Sequence, residues 1–215
     1  MNAVIQWLGQ AGFILKTEYG SLAVDPFFGE AKRNNQRIYS PELAQKPVHV
    51  DMILTTHTHW DHFDPVTYTD YVIPDVLIGP DSCMEALKET GLPIKGICLN
   101  RGHTLERCGF RITAVPADHC CDSVGFLVEF AGIRLYFSGD LMFTSDSIMP
   151  NIGMKPDITF ICINGKLGNM NFREAAIYCR IIQTKIGVPT HYDMILHNTE
   201  NPQQFVLALA DYAPE

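Results

Sequence analysis

Apolar residues fall in short blocks over the first two thirds of the chain and at helical spacing towards its end. Residues 3–8 and 12–16 read as strands flanking Gly9 and Gly12, and residues 21–25 as a third, stopped by Asp25-Pro26. Residues 28–50 break the pattern, being polar with two prolines, and read as a long loop or a short helical excursion. Residues 52–56 are an apolar strand running into His57. Further strands are predicted at 76–79, 111–116, 124–130 and 133–138, the last two joined by the hairpin signal Ala131-Gly132. Residues 158–163 are continuously apolar, as in a strand buried on both faces. Helices are predicted at 83–90, at 172–185 and at 202–212. The second carries Phe172, Ala175, Ala176, Cys179 and Ile182 on one face and opens with an Asn171/Glu174 capping box; the third opens at Pro202. Two sheets covered by helices, in one domain of residues 1–215, is the economical arrangement.

Composition narrows the function classes. With 16 Lys+Arg against 24 Asp+Glu the formal charge is −8, which opposes general affinity for nucleic acid or anionic lipid. No apolar run approaches the ~20 residues that span a bilayer. The opening MNAVIQWLGQAGF has neither a charged start nor a small-residue cleavage site. Seven cysteines with no C-x-x-C pair suggest reduced thiols, so the expected location is cytoplasmic.

The chemistry concentrates at His57-Thr58-His59-Trp60-Asp61-His62. Two histidines two apart at a strand end point the same way, and Asp61 and His62 follow as the chain turns. A random chain of this composition would contain H-x-H-x-D-H with a probability of roughly one in a thousand. A solvent-facing polar turn would instead sit in a charged stretch. His119, Asp140 and His191 each close an apolar segment, where loops gather at a sheet edge. Together these residues could hold two ions; imidazole and carboxylate suit zinc, iron or manganese.

That order and spacing resemble the metallo-β-lactamase fold superfamily over nearly the whole chain. The resemblance implies a four-layer αββα sandwich of the α+β class with a two-ion site at one edge. It implies one ion on His57, His59 and His119, and a second on Asp61, His62 and His191, with Asp140 bridging. The segments WLGQAGFIL, THTHWDHFD, IGPDSC and SGD, with the Asp25-Pro26 turn, are also similar to the L-ascorbate-6-phosphate lactonase group. Asp140 stands where antibiotic-hydrolysing members commonly carry Cys, which argues against β-lactamase activity, and His59 where the di-iron redox branch has Glu, which favours hydrolysis over oxygen reduction. The expected function is a hydrolase with two divalent ions, Zn²⁺ or Mn²⁺, that lower the pKa of a bridging water. Its hydroxide would open a lactone or related ester, with a phosphorylated sugar acid as one form. Asp61 would handle the leaving-group proton, and Asp140 would hold the ions apart. Phosphodiester hydrolysis and a non-catalytic metal-bound regulator are the alternatives.

Around this set, Asp25 is a candidate to orient a metal-bound histidine, or merely an Asp-Pro turn. Lys32, Arg33 and Arg37 form a dense basic cluster, either a solvated loop or a phosphate clamp built on Arg33 and Arg37. Asn164 and Lys166 follow a buried strand and are candidate substrate contacts. Trp60 would form a pocket wall or pack beneath the site. Cys120 and Cys121 read as buried inert thiols, Asp118 as a surface group, and His49, His103 and His197 as loop histidines. The partner expected is a small molecule, anionic if the basic loop reaches it; no nucleic acid or membrane is expected, and a homo-oligomer is allowed.

Overall fold

The computed structural model describes residues 2–31, 36–38 and 47–211. Among them, β1 (Val4–Gly9), β2 (Gly12–Lys16), β3 (Ser21–Val24) and β4 (Val48–Leu54) lead into α1 (Pro65–Asp70), β5 (Val72–Gly79), α2 (Asp81–Thr90) and β6 (Lys95–Cys98). These strands form one sheet in sequence order. The second half contributes β7 (Thr104–Arg107), β8 (Phe110–Pro116), β9 (Val124–Phe130), β10 (Ile133–Phe137), α3 (Ser145–Ile148), β11 (Ile158–Cys162), α4 (Phe172–Ile181), β12 (Ile186–Thr190) and α5 (Pro202–Asp211). Its sheet runs β12-β11-β10-β9-β8-β7.

Side-chain alternation builds the layers. Phe13, Leu15, Leu22, Met52 and Leu54 of the first sheet meet Phe126, Val128 and Phe160 of the second in the central core. The residues between them in sequence, such as Ile14, Ala23 and Ile53, face outward and pack with Tyr68, Cys83 and Leu87 of α1 and α2. On the far side Tyr136 and Ile161 pack against Ala175, Cys179 and Phe205 of α4 and α5. Both faces of each sheet are therefore covered, which makes the αββα sandwich and explains the unbroken apolar runs.

The local signals hold where geometry is short-range. Ala131 and Gly132 take φ of 45° and 81°, the left-handed pair of a tight hairpin between β9 and β10. Asn171 accepts from the backbone N–H groups of Arg173 and Glu174, while Glu174 accepts from that of Asn171, completing the capping box.

Several expectations need correction. Helix α2 covers the predicted 83–90, but α1 is a further helix in the first half, so helices are not gathered at the end. Helix α4 stops at Ile181 rather than 185, because the chain must turn back into β12. Strand β4 starts at Val48, inside the stretch read as loop, and ends at Leu54, short of His57. The short strands β6, β7 and β12 escape an apolar pattern search because they are exposed or half-exposed edges.

Candidate metal centre

The topology sends one group of chain ends to one edge. Strands β3, β4 and β5 are parallel, as are β10, β11 and β12. Strand β8 is antiparallel to β9, and β9 to β10, so β8 also ends there. Asp25 follows β3, the loop 55–64 follows β4, and the ends of β8, β10 and β12 lead to His119, Asp140 and His191. His57 and His59 do not meet through strand alternation, since β4 has already ended. The loop is instead reversed by His62 and Phe63, whose N–H groups donate to His59 O at 2.9 and 2.8 Å.

Two half-sites result. In the first, His57 Nε2 lies 3.0 Å from His59 Nδ1, and His119 Nε2 lies 3.2 Å from the same atom. Two donors bonded to one ion at about 2.1 Å sit about 3.0–3.4 Å apart, so this spacing fits a shared ion. In the second, His191 Nε2 is 3.4 Å from Asp61 Oδ2, and His62 Nε2 is 3.9 Å from it. Asp140 faces both half-sites. Its Oδ1 is 3.2 Å from His62 Nε2 and 3.1 Å from His191 Nε2, while its Oδ2 is 3.5 Å from His119 Nε2. His62 Nε2 and Asp140 Oδ1 are buried and face each other without hydrogen-bond geometry, and neither has another hydrogen-bond partner. Leaving such atoms unmatched is costly, and a divalent cation would satisfy both. The donor set of imidazole and carboxylate suits a transition metal.

The outward ring nitrogens are tied to the fold, which aims the inward ones. Asp25 Oδ2 accepts from His62 Nδ1 at 2.8 Å and from Thr56 Oγ1 at 2.6 Å, while Oδ1 accepts from Thr56 N at 2.8 Å. His57 Nδ1 in turn lies 3.0 Å from Thr56 Oγ1. One buried carboxylate thus orients His62 directly and His57 through Thr56. His119 Nδ1 meets Gly168 O at 3.3 Å. These contacts aim Nε2 of His57, His62 and His119 into the centre.

Electrostatics follow the same division. Burial, reinforced by neighbouring imidazoles, lowers the pKa of His57 and His59. Burial also opposes a charge on His62 and His191, but the carboxylates overcome it. Asp140, Asp25 and Asp61 raise His62 well above the usual range, and Asp140 with Asp61 raises His191 to about 9. Burial likewise opposes ionisation of Asp61 and Asp140, yet His62 and His191 hold both carboxyls below their usual range. A value of about 9 keeps a proton on His191 of the metal-free protein at pH 7, and an ion must displace it. Zinc titration at pH 7 in buffers of different ionisation enthalpy should show proton release, the His191 share fading as pH passes about 9. Heats independent of the buffer would refute this. In the metal-free fold the raised His191 value stabilises fully below about 6.5, and that contribution is lost as pH climbs through about 9.

A cleft of about 440 Å³ opens over the centre, lined by His59, Trp60, Asp61, His119, Asp140, Leu167, Asn169 and Asn198. Trp60 both lines it and packs edge-on against Phe27, at 5.2 Å between ring centres. The basic cluster is not part of the described lining. Arg33, like Lys32, lies outside the described residues. Arg37 stacks over Phe27 at 4.3 Å and donates to Gly29 O, so its guanidinium is committed to the fold. Lys166 Nζ reaches Thr199 O at 3.3 Å. Asn164 sits behind the lining and donates to Asn198 Oδ1 at 2.7 Å.

Other readings also change. Asp118 is not a free surface group: its carboxylate accepts from Thr144 Oγ1 at 2.7 Å, anchoring the segment after Asp140. Cys121 is exposed and Cys120 half-buried, so neither is a buried thiol. His49, His103 and His197 are exposed and outside the cluster. Two residues escaped the sequence reading. Gln10, fully buried in the β1–β2 turn at φ 50°, donates from Nε2 to Asp61 Oδ2 at 2.9 Å, and its carbonyl accepts from His191 N at 3.0 Å. Asn169 accepts from Leu141 N at 3.1 Å and leaves Nδ2 buried without a partner beside the cleft. A glutamine between two glycines in a strand–turn–strand segment was the only available signal for the first.

Residues 4–191 match the family model described as the beta-lactamase superfamily domain. A "UPF0173 metal-dependent hydrolase" of Methanosarcina mazei is 28% identical, covering 94% of this chain and 88% of that one. A protein of the same description from Nitratidesulfovibrio vulgaris is 29% identical over 100% of this chain and 90% of its own. Among solved structures, a metallo hydrolase from Ignicoccus hospitalis superposes with a TM-score of 0.74 at 19% identity, covering 97% of this chain and 91% of the other.

Proposed function

The chain belongs to the metallo-β-lactamase superfamily and is a metal-dependent hydrolase, and from that premise we propose that it uses two divalent ions to open a lactone or a related ester. The observation that carries the two-ion reading is Asp140, whose two oxygens face different histidine sets. Held by His57, His59 and His119 on one side and Asp61, His62 and His191 on the other, with Asp140 between, two such ions would lower the pKa of water towards neutrality and polarise a carbonyl.

The residues of the chain supply the rest. Asp25, Thr56 and Gly168 aim the imidazoles into the centre. Gln10 holds Asp61 Oδ2, leaving Asp61 at the cleft to pass a proton to the leaving oxygen. Trp60 and Leu167 give the cleft apolar lining, and Asn169 Nδ2 is a donor for a substrate oxygen. No lysine or arginine is among the described lining residues, so the reading favours a neutral lactone or ester. A phosphorylated sugar acid, as in the lactonase group that the sequence resembles, would need an anion contact beyond the described lining.

The test is metal analysis joined to a substrate panel. Protein reloaded with Zn²⁺ or Mn²⁺ should hold two ions per chain and turn over lactones faster than thioesters or phosphodiesters. Zero bound ions, or turnover confined to phosphodiesters, would refute the proposal.

A further inference from the structure

The first half-site contains a donor that the two-ion reading leaves unused. Cys120 Sγ lies within 4.8 Å of the ligand atoms of His57, His59 and His119, as those atoms do of one another. The other cysteines sit differently. Cys83 belongs to the apolar layer under α2, Cys162 and Cys179 to the layer under α4 and α5, and no other cysteine joins a metal-type group among the described residues. Cys120 is half-buried, and the polar partner of its sulfur is Ser123 Oγ at 3.2 Å. A tight turn places it there: Ser123 N donates to Cys120 O at 2.9 Å, and Cys120 N donates to Ser123 Oγ at 3.2 Å. The thiol is therefore held beside three nitrogens by backbone contacts that do not depend on the sulfur itself.

Resting on the reading of this cluster as a metal centre, we propose that Cys120 is a further protein ligand of the first half-site, beside its three histidines and the shared Asp140, taken up by thiophilic ions such as Zn²⁺ and left free by Mn²⁺. On uptake the S–H bond breaks, its proton passes to solvent and a sulfur–metal bond forms. The sulfur must leave Ser123 and close on the ion, since Zn–S and Zn–N bonds of about 2.3 and 2.1 Å bring neighbouring S and N ligands within about 3.6 Å of each other. Rotation about the Cα–Cβ bond moves a sulfur by more than that difference without disturbing the turn. The two half-sites then differ in softness. Apart from the shared Asp140, the first offers three nitrogens and a thiolate, while the second offers two nitrogens with a carboxylate oxygen of Asp61. Thiolate selects zinc-like ions, whereas carboxylate oxygen accepts manganese equally well.

Cobalt reports the bond directly, because thiolate bound to Co²⁺ gives a charge-transfer band in the near ultraviolet. The full chain loaded with Co²⁺ should show this band. Cys120→Ser should lose it while still binding the ion, and Cys121→Ser, an exposed neighbour, should keep it. Competition between Zn²⁺ and Mn²⁺ should show the zinc preference of Cys120→Ser reduced about tenfold or more. Cys120→Ala, checked by thermal unfolding of the metal-free protein, guards against a folding defect in the serine variant. The proposal is overturned if cobalt binds the wild type without the band, or if the band or the zinc preference survives in both Cys120 variants. Failure to bind cobalt at all would overturn the metal-centre reading, and this proposal with it.

Discussion

If the proposed two-ion centre is right, Asp140→Asn should bind one ion fewer than the wild type, and its kcat should fall by a factor on the order of 10²–10³ or more. Asp140 is buried between the two histidine sets, with Oδ1 against His62 and His191 and Oδ2 against His119. Two dications held close together need negative charge between them, and an asparagine supplies none. Its amide nitrogen is also no ligand, so one half-site loses a donor outright. The half-site of His57, His59 and His119 keeps its own nitrogens and should retain its ion. Metal content per chain and steady-state kinetics on the same preparation measure the two effects. A variant that holds two ions and turns over within a few-fold of wild type would exclude the bridging role.

Asp25→Ala should damage stability and metal binding together, although Asp25 touches no ion in the proposed arrangement. Its carboxylate is fully buried and receives the Thr56 N–H, the Thr56 hydroxyl and the His62 Nδ1–H. Truncation strands all three donors and leaves His62 without its partner; breaking a buried pair of this kind costs about 3–5 kcal/mol. For a chain of this size that lowers the melting temperature of the metal-free protein by roughly 10 °C. The lost orientation of His62 and, through Thr56, of His57 should weaken metal binding roughly 10–100-fold. Asp25→Asn keeps an acceptor for Thr56 N but turns an N–H towards the other two donors, so an intermediate loss is expected. Thermal unfolding and zinc affinity of the three proteins give the answer. Unchanged affinity in Asp25→Ala would reduce the residue to a turn former.

The amino-acid order alone determined the elements whose signals are local. The hairpin at Ala131-Gly132, the capping box at Asn171 and Glu174, and the buried run at 158–163 all formed, because φ preferences, caps and alternation act over a few residues. It also nominated the metal-type residues, since H-x-H-x-D-H and the strand-end His119, Asp140 and His191 are compositional facts. Tertiary structure decided how those residues meet. Strand direction brought five chain ends to one edge, and a reversal in loop 55–64, not strand alternation, aimed His57 and His59 together. It separated a structural arginine, Arg37, from the cleft, because stacking on Phe27 and a bond to Gly29 depend on residues folded beside it. Only the fold could place Gln10 against Asp61 and Asp25 beneath His62, 51 and 37 residues apart in sequence. A hydrogen bond across such a separation leaves no periodic or motif signature, because its energy is realised only when the sheet edges close around it.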